Sequence, residues 1–418
     1  MMEQRVVITG IGAITPVGNH AEEMWKNLVD GKCGIDFIQG LDEYNLPVKV
    51  AGQIKNFDQS EYELNAGLAR RSDKFCVYAM AAASDAMKDS GLVSGENIAP
   101  ERLGVYIGSG IGGMDTFVNQ TKVLLEEGVG RISPFFVPMM ISNIASGNVA
   151  ISHNAQGVCL PVVTACATGT HAAGEAYRAI KHGYADAIIC GGAEASVHPL
   201  AIGGFANSKA LSRSEDPLQA SLPFSADRHG FVIAEGAGMM IFESLESAQK
   251  RGAKIYAEVV GYGNSCDAHH FTAPRPDGVP ASRAIKQALD EAQFDAEKDL
   301  LYINAHGTGT PLNDAAETKA IKLAMGEEAA KRAMITSTKS ITGHMLGATG
   351  AVELIASALS LHHGVVTPTI GLTNPDPECD LDYTPLKARK ADLTVAISNS
   401  LGFGGHNACV ALRKWENK

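Results

Sequence analysis

Basic residues are scarce in this chain of 418 residues, where 35 Lys and Arg stand against 46 Asp and Glu and give a formal net charge of -11. An acidic balance of this size argues against nucleic acid or an anionic membrane surface as the main partner. No run of ~20 apolar residues occurs, so we expect no transmembrane helix. The amino terminus, MMEQRVVITG, also lacks the apolar core of a signal peptide.

Cysteine pairing signals are absent as well. The 8 cysteines form no CxxC motif and no short, even spacing, so we expect free thiols and a cytoplasmic location. The chain also contains no P-loop, no GxSxG and no HExxH motif. These absences remove the usual signals of P-loop nucleotide binding, serine hydrolysis and zinc-dependent proteolysis.

The chain does contain short β-rich runs that alternate with longer helical patterns, which predicts an α/β protein with parallel strands. Three stretches of the second half repeat stretches of the first in the same order. In chain order, IYAEVVGYGNS resembles VVITGIG, LYINAHGTGT resembles VYIGSGIGG, and AMITSTKSITGH with its following helix resembles VVTACATG. The order indicates an internal duplication with a boundary near Leu245–Lys254, although any α/β protein repeats strand, turn and helix.

One cysteine has an unusual context, VVTACATGTHAAG. If a strand ends at Ala165, Cys166 begins a helix rich in small residues. The unpaired N–H groups and the dipole at a helix start would then lower the pKa of the thiol and aim it at one point. The alternative is a small core residue, which is the usual role of a free cysteine.

Two of the 13 histidines follow strand-like runs beside glycine, namely His306 in NAHGTGTP and His344 in STKSITGHMLGATG. The carboxyl ends of parallel strands are where sites assemble, so these side chains are candidate acids, bases or hydrogen-bond donors. Lys339 precedes His344 by five residues, and Glu353 lies on the helix that follows. A buried lysine would need such a counter-charge, whereas two surface residues would be the alternative.

Two glycine-rich turns differ in what they indicate. GSGIGG fits the dinucleotide-binding pattern but lacks the acidic residue expected after a following strand. SNSLGFGGHN follows a strand, and its backbone N–H groups around Phe403 could form an oxyanion hole.

Together, Cys166 in TACATG, His306 in NAHGTGTP, His344 in KSITGHMLGATGAVE and the GFGG loop resemble the β-ketoacyl-[acyl-carrier-protein] synthases. The likeness extends from VVITGIG to GFGGHNACVAL and is greatest to the type II (KAS II) enzymes of bacterial fatty-acid elongation. It implies the thiolase-like fold: two duplicated halves, residues 1–250 and 251–418, in a five-layer α-β-α-β-α arrangement. It also implies a homodimer.

The resemblance further implies a role for each candidate residue. Cys166 would carry the acyl chain, His306 and His344 would bind malonyl-[acyl-carrier protein] and assist its decarboxylation, and Lys339 with Glu353 would organise the site. Phe403 would complete the oxyanion hole and gate substrate entry. The remaining implied residues bind substrate or carrier: Thr308 and Thr310 for the phosphopantetheine arm, Ile111 and Phe205 for the acyl pocket, and Arg70, Arg71, Lys74, Lys209 and Arg213 for carrier-protein docking.

Other activities stay open at this point. A polyketide-type ketosynthase would carry the same motifs. A CoA-dependent thiolase would need a second cysteine in the carboxy-terminal glycine loop, where this chain has Ser398, Ser400 and Phe403, and Cys409 lies beyond that loop in the last strand. A non-catalytic chain-length partner would lack the active cysteine. No organic cofactor, metal, nucleic acid or membrane partner is implied. ARRSDK is expected to place Arg70, Arg71 and Lys74 on one helix face, with a solvated surface as the alternative.

Overall fold

A computed structural model describes residues 3–416 and shows a mixed α/β protein. Ten of its strands form one large sheet and four form two small hairpin-like pairs. The strands are β1 Val6–Ile14, β2 Asp36–Phe37, β3 Val50–Ala51, β4 Leu103–Gly108, β5 Cys159–Leu160, β6 Ala187–Glu194, β7 Gly236–Ser244, β8 Ala257–Cys266, β9 Leu301–Asn304, β10 Met334–Thr336, β11 Val365–Val366, β12 Arg389–Lys390, β13 Val395–Gly402 and β14 His406–Lys414.

Helices fill most of the connections between these strands. They are α1 Ala21–Val29, α2 Ala66–Ala69, α3 Lys74–Ser90, α4 Met114–Glu127, α5 Phe136–Met140, α6 Ile144–Ser152, α7 Thr168–Lys181, α8 Pro199–Asn207, α9 Leu245–Lys250, α10 Val279–Glu291, α11 Pro311–Met325, α12 Glu327–Arg332, α13 Lys339–Thr342 and α14 Thr349–His363. Within the described residues, none of these helices is both long and apolar enough to cross a membrane.

The sheet order shows the duplication directly. Its strands run β10-β9-β13-β14-β8-β1-β7-β6-β4-β5. The first half therefore has the order β1-β7-β6-β4-β5, and the second has the matching order β8-β14-β13-β9-β10. Parallel and antiparallel neighbours also match, since β6, β4 and β5 are parallel in one half and β13, β9 and β10 in the other. Only a short β1–β8 pairing joins the halves.

Two helices lie between the two half-sheets. The first, α7, packs on β6, β4 and β14, and the second, α14, packs on β13, β7 and α7, while α3 and α10 cover the outer faces. This produces the five alternating layers. The central helices need small residues because they are covered on all sides: a Cβ at Gly174 of α7 would lie 2.2 Å from the Tyr262 ring. The expected thiolase-like fold is confirmed.

The two central helices begin in the same way. A turn of 3₁₀ helix, Ala165–Ala167, leads into α7, and Leu346–Ala348 leads into α14. The first residue of each turn has a positive φ, 51° at Ala165 and 47° at Leu346. Both are non-glycine residues in a conformation that L-amino acids rarely adopt, so tertiary packing holds both turns.

Two local expectations are wrong. The strand before the cysteine ends at Leu160 instead of Ala165, and the chain from 161 to 164 is irregular. Arg70, Arg71 and Lys74 do not share a helix face, because α2 ends at Ala69 and α3 begins at Lys74. Asn65 caps α2 through its side-chain oxygen, and Asp73 starts α3. The three basic side chains are nonetheless exposed at this junction.

Candidate active site

Cys166 opens onto a cavity of about 340 Å³ at the junction of the two halves. It lies in the turn that leads into α7, where the backbone N–H groups have no partner within the helix. The walls come from several loops that follow strands of both halves. Among the predicted residues, the lining includes Cys166, His306, His344, Thr308, Thr310, Phe205, Phe403 and Lys209.

Burial, not the helix start, dominates the protonation state of the thiol. Desolvation raises the pKa of Cys166 to about 11, against the opposing effects of the Lys339 charge and the Phe403 amide. The expectation of a lowered pKa is therefore wrong. A residue near a helix start gains from the dipole, but removal of water from around the thiolate costs more here. Cys166 is a neutral thiol at neutral pH.

The two histidines form a matched pair of neutral imidazoles. Their ring centroids lie 5.4 Å apart at an interplanar angle of 85°. Burial and the nearby Lys339 charge lower the pKa of both His306 and His344 well below the ordinary value. The hydroxyl of Thr349 lies 3.0 Å from Nδ1 of His344, which orients that ring. Neutral rings can donate a hydrogen bond from one nitrogen and accept a proton at the other.

His306 is held by a carboxylate that the sequence motifs did not single out. Glu317 of α11 accepts hydrogen bonds from the backbone N–H groups of His306 and Gly307 at 2.7 and 2.8 Å. Glu317 is fully buried, and desolvation raises its pKa to about 7. Its sequence context, NDAAET, looks like an ordinary helix start, so only the folded chain reveals its contact.

Lys339 and Glu353 form a buried ion pair. The Lys339 ammonium lies 2.6 Å from Glu353 Oε1, and each side chain is 1% exposed. Burial raises the pKa of Glu353, while Lys339 and the Thr338 hydroxyl stabilise its charged form. Removal of one partner from a buried pair typically costs about 3–5 kcal/mol, because the other charge is left without compensation. The Lys339 charge acts on both histidines, and Glu353 balances that charge within the pair.

The glycine loop after β13 approaches the thiol from the other side. The Phe403 backbone N–H faces the sulfur, as does the N–H of Cys166 itself. The Phe403 ring lies 6.2 Å from that of Phe205 across the cavity. A Cβ at Gly402 would approach the Thr164 carbonyl oxygen to 2.7 Å, so glycine is needed for this contact. Two N–H groups that converge on one point can stabilise an oxyanion there.

Thr308 and Thr310 line the outer part of the cavity, and their hydroxyls lie 2.9 Å apart. The buried Arg228 fixes this loop by donating to the carbonyl oxygens of Thr310 and Pro311. Asp314 completes the anchor by accepting from the Gly309 N–H. Neither Arg228 nor Asp314 was evident as a site residue from sequence pattern.

Of the residues expected in the acyl pocket and at the docking surface, Phe205 and Lys209 line this cavity and the others do not. Ile111 is 38% exposed on a turn and does not line the cavity. Lys209 is at the cavity wall, whereas Arg213, Arg70, Arg71 and Lys74 are exposed on the surface and do not line the cavity.

Three buried oxygen atoms near the ion pair have no hydrogen-bond partner among the described residues. They are Asn304 Oδ1, Glu353 Oε2 and Ser398 Oγ. Asn304 donates to the Glu353 carbonyl oxygen, and Ser398 pairs with Asn304 in the sheet, so the three are neighbours. Such a donor set suits a hard cation, which would offset the Glu353 charge. Within residues 3–416, no group of three or more His, Cys, Asp and Glu could hold a metal ion.

A thiol beside two neutral histidines, in this duplicated fold, is the arrangement of an acyl-transferring enzyme of the thiolase-like class. Comparison with known families makes the assignment specific. The N-terminal domain of the β-ketoacyl synthases matches residues 3–248, and their C-terminal domain matches residues 256–373. The chain belongs to the β-ketoacyl synthase family.

Individual relatives cover the whole chain. It is 52% identical over 413 residues to 3-oxoacyl-[acyl-carrier-protein] synthase 2 of Staphylococcus aureus (strain COL), with 99% of each chain covered. It is 49% identical over 415 residues to the enzyme of the same name from Synechocystis sp., again with 99% of each covered.

Solved structures agree with the fold. A type II polyketide ketosynthase in complex with its acyl-carrier protein superposes with a TM-score of 0.90 at 34% identity, covering 99% of this chain and 100% of that one. A β-ketoacyl synthase from Burkholderia phymatum gives a TM-score of 0.91 at 33% identity, with the same coverage.

The Lys339 charge predicts how Cys166 reacts with an alkylating agent. We expect the rate of Cys166 alkylation by iodoacetamide to keep rising through pH 9.5, past the plateau of an ordinary thiol with a pKa of about 8.5. Lys339→Met should lower the rate at pH 9 by about tenfold, because the thiolate loses a stabilising positive charge. Peptide mass spectrometry reports the rate. Lys286→Met, at an exposed lysine, is the control; equal rates in the two variants would contradict the assignment.

Proposed function

We propose that the chain catalyses the decarboxylating Claisen condensation of an acyl group with malonyl-[acyl-carrier protein], which gives 3-oxoacyl-[acyl-carrier protein] in fatty-acid elongation. The observation that carries the proposal is the single cavity that brings together Cys166, His306 and His344, with both imidazoles held neutral. The names of the relatives at 52% and 49% identity agree with this reaction.

In the first half-reaction, the Cys166 sulfur attacks the thioester carbonyl of the acyl carrier. The thiol proton must leave as the bond forms, since the raised pKa keeps the resting sulfur protonated. A neutral imidazole in the cavity accepts that proton and returns it to the departing carrier thiol. The N–H groups of Cys166 and Phe403 stabilise the negative oxygen of the tetrahedral intermediate.

In the second half-reaction, malonyl carrier protein replaces the discharged carrier. The N–H groups of His306 and His344 donate to the malonyl thioester oxygen and stabilise the enolate that forms as carbon dioxide leaves. The enolate carbon attacks the acyl-Cys166 carbonyl, and the C–S bond breaks to release the 3-oxoacyl product and the Cys166 thiolate. The thiolate then takes up one proton from solvent and returns to the resting thiol. Lys339 favours both anionic states through its fixed charge, and Thr308 with Thr310 bind the phosphopantetheine arm.

A polyketide-type ketosynthase is the second candidate, because a polyketide enzyme and an ishigamide ketosynthase/chain length factor share the fold at 34% identity. Higher identity to the elongating synthases favours the first. A thiolase is disfavoured by the cavity itself: among the described residues that line it, Cys166 is the only cysteine, and Cys409 is fully buried in β14.

Intact-mass spectrometry with acyl carrier protein and then malonyl carrier protein tests the reaction. Wild-type protein should gain one acyl group and lose it to a product two carbons longer, whereas Cys166→Ala should gain none. His306→Ala and His344→Ala should still be acylated but should decarboxylate malonyl carrier at least about 100-fold more slowly.

Cys266→Ala is the control, because that thiol is exposed outside the cavity. It should behave as wild type. Acylation of Cys166→Ala would disprove the nucleophile, and cleavage of a 3-oxoacyl-CoA without release of carbon dioxide would favour a thiolase.

We also propose that exposed basic residues bind the acidic carrier protein near the cavity mouth. Lys209 lines the cavity and Arg213 follows it on the next exposed loop. Arg70, Arg71 and Lys74 lie at the α2–α3 junction, where Arg71 stacks on Phe135 and Lys74 lies 3.9 Å from Asp115. On a chain of net charge -11, local basic groups are what an acidic partner can use.

Charge reversal at the cavity mouth tests docking. Lys209→Glu should raise the KM for acyl carrier protein about three- to tenfold with little change in kcat, because rim charges act mainly on association. The difference should shrink in high salt. The control is Lys250→Glu. Lys250 is an exposed lysine on α9, which follows the end of β7, and it does not line the cavity. Equal KM values in the two variants would argue against docking at Lys209.

A homodimer is the assembly we propose. Half of the exposed large apolar side chains of the described chain fall between residues 111 and 163, including Leu125, Val129 and Leu160. The edge strand β5 lies in the same region and has no neighbour on its outer side. An open edge beside an apolar patch of this extent is a surface that pairs with another chain. A second copy would extend the sheet and cover the patch.

Sedimentation velocity tests the assembly. The wild type should sediment as a dimer at micromolar concentration, and Leu160→Lys should shift it toward monomer, because a charge at the strand edge opposes pairing. Leu323→Lys, at a similarly exposed position on α11, should remain dimeric. A monomeric wild type would rule the proposal out.

Two smaller proposals complete the picture. Residues 1–250 and 251–418 are the duplicated halves, the first carrying the nucleophile and the second the histidines. The unpaired state of all 8 cysteines supports a cytoplasmic location.

A further inference from the structure

Glu194, at the end of β6, is a fully buried carboxylate that takes no part in the reaction described above. Its oxygens accept hydrogen bonds from the hydroxyls of Ser109 and Ser196 and from the backbone N–H groups of Gly110, Ile111 and Gly347, at 2.8–3.3 Å. These donors are all neutral. A buried carboxylate satisfied only by neutral donors fixes their positions, since each would be costly to leave unpaired.

The donors belong to both halves of the molecule. Ser109, Gly110 and Ile111 form the turn after β4, whereas Gly347 lies in the turn that leads into α14. These two turns lie on either side of the nucleophile. A Cβ at Gly110 would lie 3.5 Å from the Ala165 carbonyl oxygen, and Leu346 packs in one apolar cluster with Cys166.

The internal duplication gives this arrangement a counterpart. Alignment of VYIGSGIGG with LYINAHGTG pairs Gly110 and Ile111 with His306 and Gly307. The buried Glu317 accepts hydrogen bonds from the N–H groups of His306 and Gly307. In the same way, Glu194 accepts hydrogen bonds from the N–H groups of Gly110 and Ile111. The two carboxylates come from different elements, since Glu317 belongs to α11 and Glu194 to β6.

The helix starts correspond as well. Alignment of ACATG with LGATG pairs Cys166 with Gly347, and the preceding residues Ala165 and Leu346 share a positive φ. In the first half, the N–H of Cys166 faces the reacting sulfur. In the second half, the corresponding N–H of Gly347 donates to Glu194 Oε2 at 3.1 Å.

We propose that Glu194 is a positioning residue. The second half repeats the helix start that forms the oxyanion hole in the first half, and there the Glu194 carboxylate permanently accepts the Gly347 N–H that corresponds to the N–H of Cys166. Glu194 thereby fixes both backbone turns that pack beside Cys166. One helix start is thereby left free for the transient negative oxygen of the reaction, and the other is occupied by the protein's own anion. This inference rests on the proposed role of Cys166 as nucleophile.

The negative charge of Glu194 also raises the pKa of the Cys166 thiol, so the direction in which that pKa changes on substitution of Glu194 can be measured. Glu194 opposes formation of the Cys166 thiolate, whereas the amides and Lys339 favour it. Glu194→Gln would therefore ease thiol ionisation while it loosens the turns. The glutamine NH₂ would face N–H donors and leave them unsatisfied. A purely destabilising change would not shift the pH dependence of thiol alkylation.

The test compares Glu194→Gln with Glu243→Gln. Glu243 is also fully buried and accepts hydrogen bonds from Thr9, Ser247 and Arg251. It pairs with Ala187 at the start of β6, whereas Glu194 lies at the end of that strand. We expect Glu194→Gln to lower kcat for condensation at least about tenfold, through misplacement of the reacting groups. Its Cys166 alkylation profile should move to lower pH. Glu243→Gln should keep both properties within about twofold of wild type, since its charge is remote from the thiol.

A result in which the two variants share the same kcat and the same alkylation profile would overturn the proposal. If Glu194→Gln does not fold, Ser109→Ala removes one donor and keeps the carboxylate. It should lower kcat in the same direction, and an unchanged kcat would overturn the proposal equally. Cys166→Ala, assayed alongside, separates the two proposals, because condensation by that variant would refute the nucleophile and not Glu194.

Discussion

Desolvation between the two half-sheets governs the chemistry of this protein. The thiol and two imidazoles line the cavity at their junction, with the buried Lys339–Glu353 pair close to them, and burial shifts the pKa of Cys166, His306, His344 and Glu353 toward the neutral form. A neutral thiol and neutral imidazoles can exchange a proton during attack without first separating charge. The Lys339 charge opposes this pKa shift at Cys166, and Glu353 compensates that charge at a place removed from water.

Buried carboxylates hold the backbone around this site. Glu317 holds the backbone at His306, Glu194 holds the turns beside Cys166, and Asp314 with Arg228 holds the loop of Thr308 and Thr310. Each carboxylate satisfies backbone donors that a loop in this position would otherwise leave unpaired. The duplicated topology brings these loops together, because the parallel strands of both halves end toward the same junction.

Sequence pattern predicted much of this arrangement. The strand–turn–helix repeats gave the correct class of fold, and the motifs around Cys166, His306, His344 and Phe403 identified residues that share one cavity. Glu194 and Arg228 were missed because they act on backbone groups more than 80 residues away. Glu317 lies only about one helix from His306, but its sequence context gives no sign that its carboxylate turns back to that loop. Ile111 lies on an exposed turn of the single chain, and its place in the acyl pocket stays a prediction.

The sequence by itself determined the chemistry available: one cysteine before a run of small residues, two histidines after strands, and glycines where backbones meet closely. These features can be predicted from sequence because hydrophobic periodicity and residue size depend only on residues close together in the chain. Only the tertiary structure decided the protonation states. The thiol expected to be acidic at a helix start is instead held neutral, because the loss of hydration is set by atoms from both halves of the chain and outweighs the local dipole.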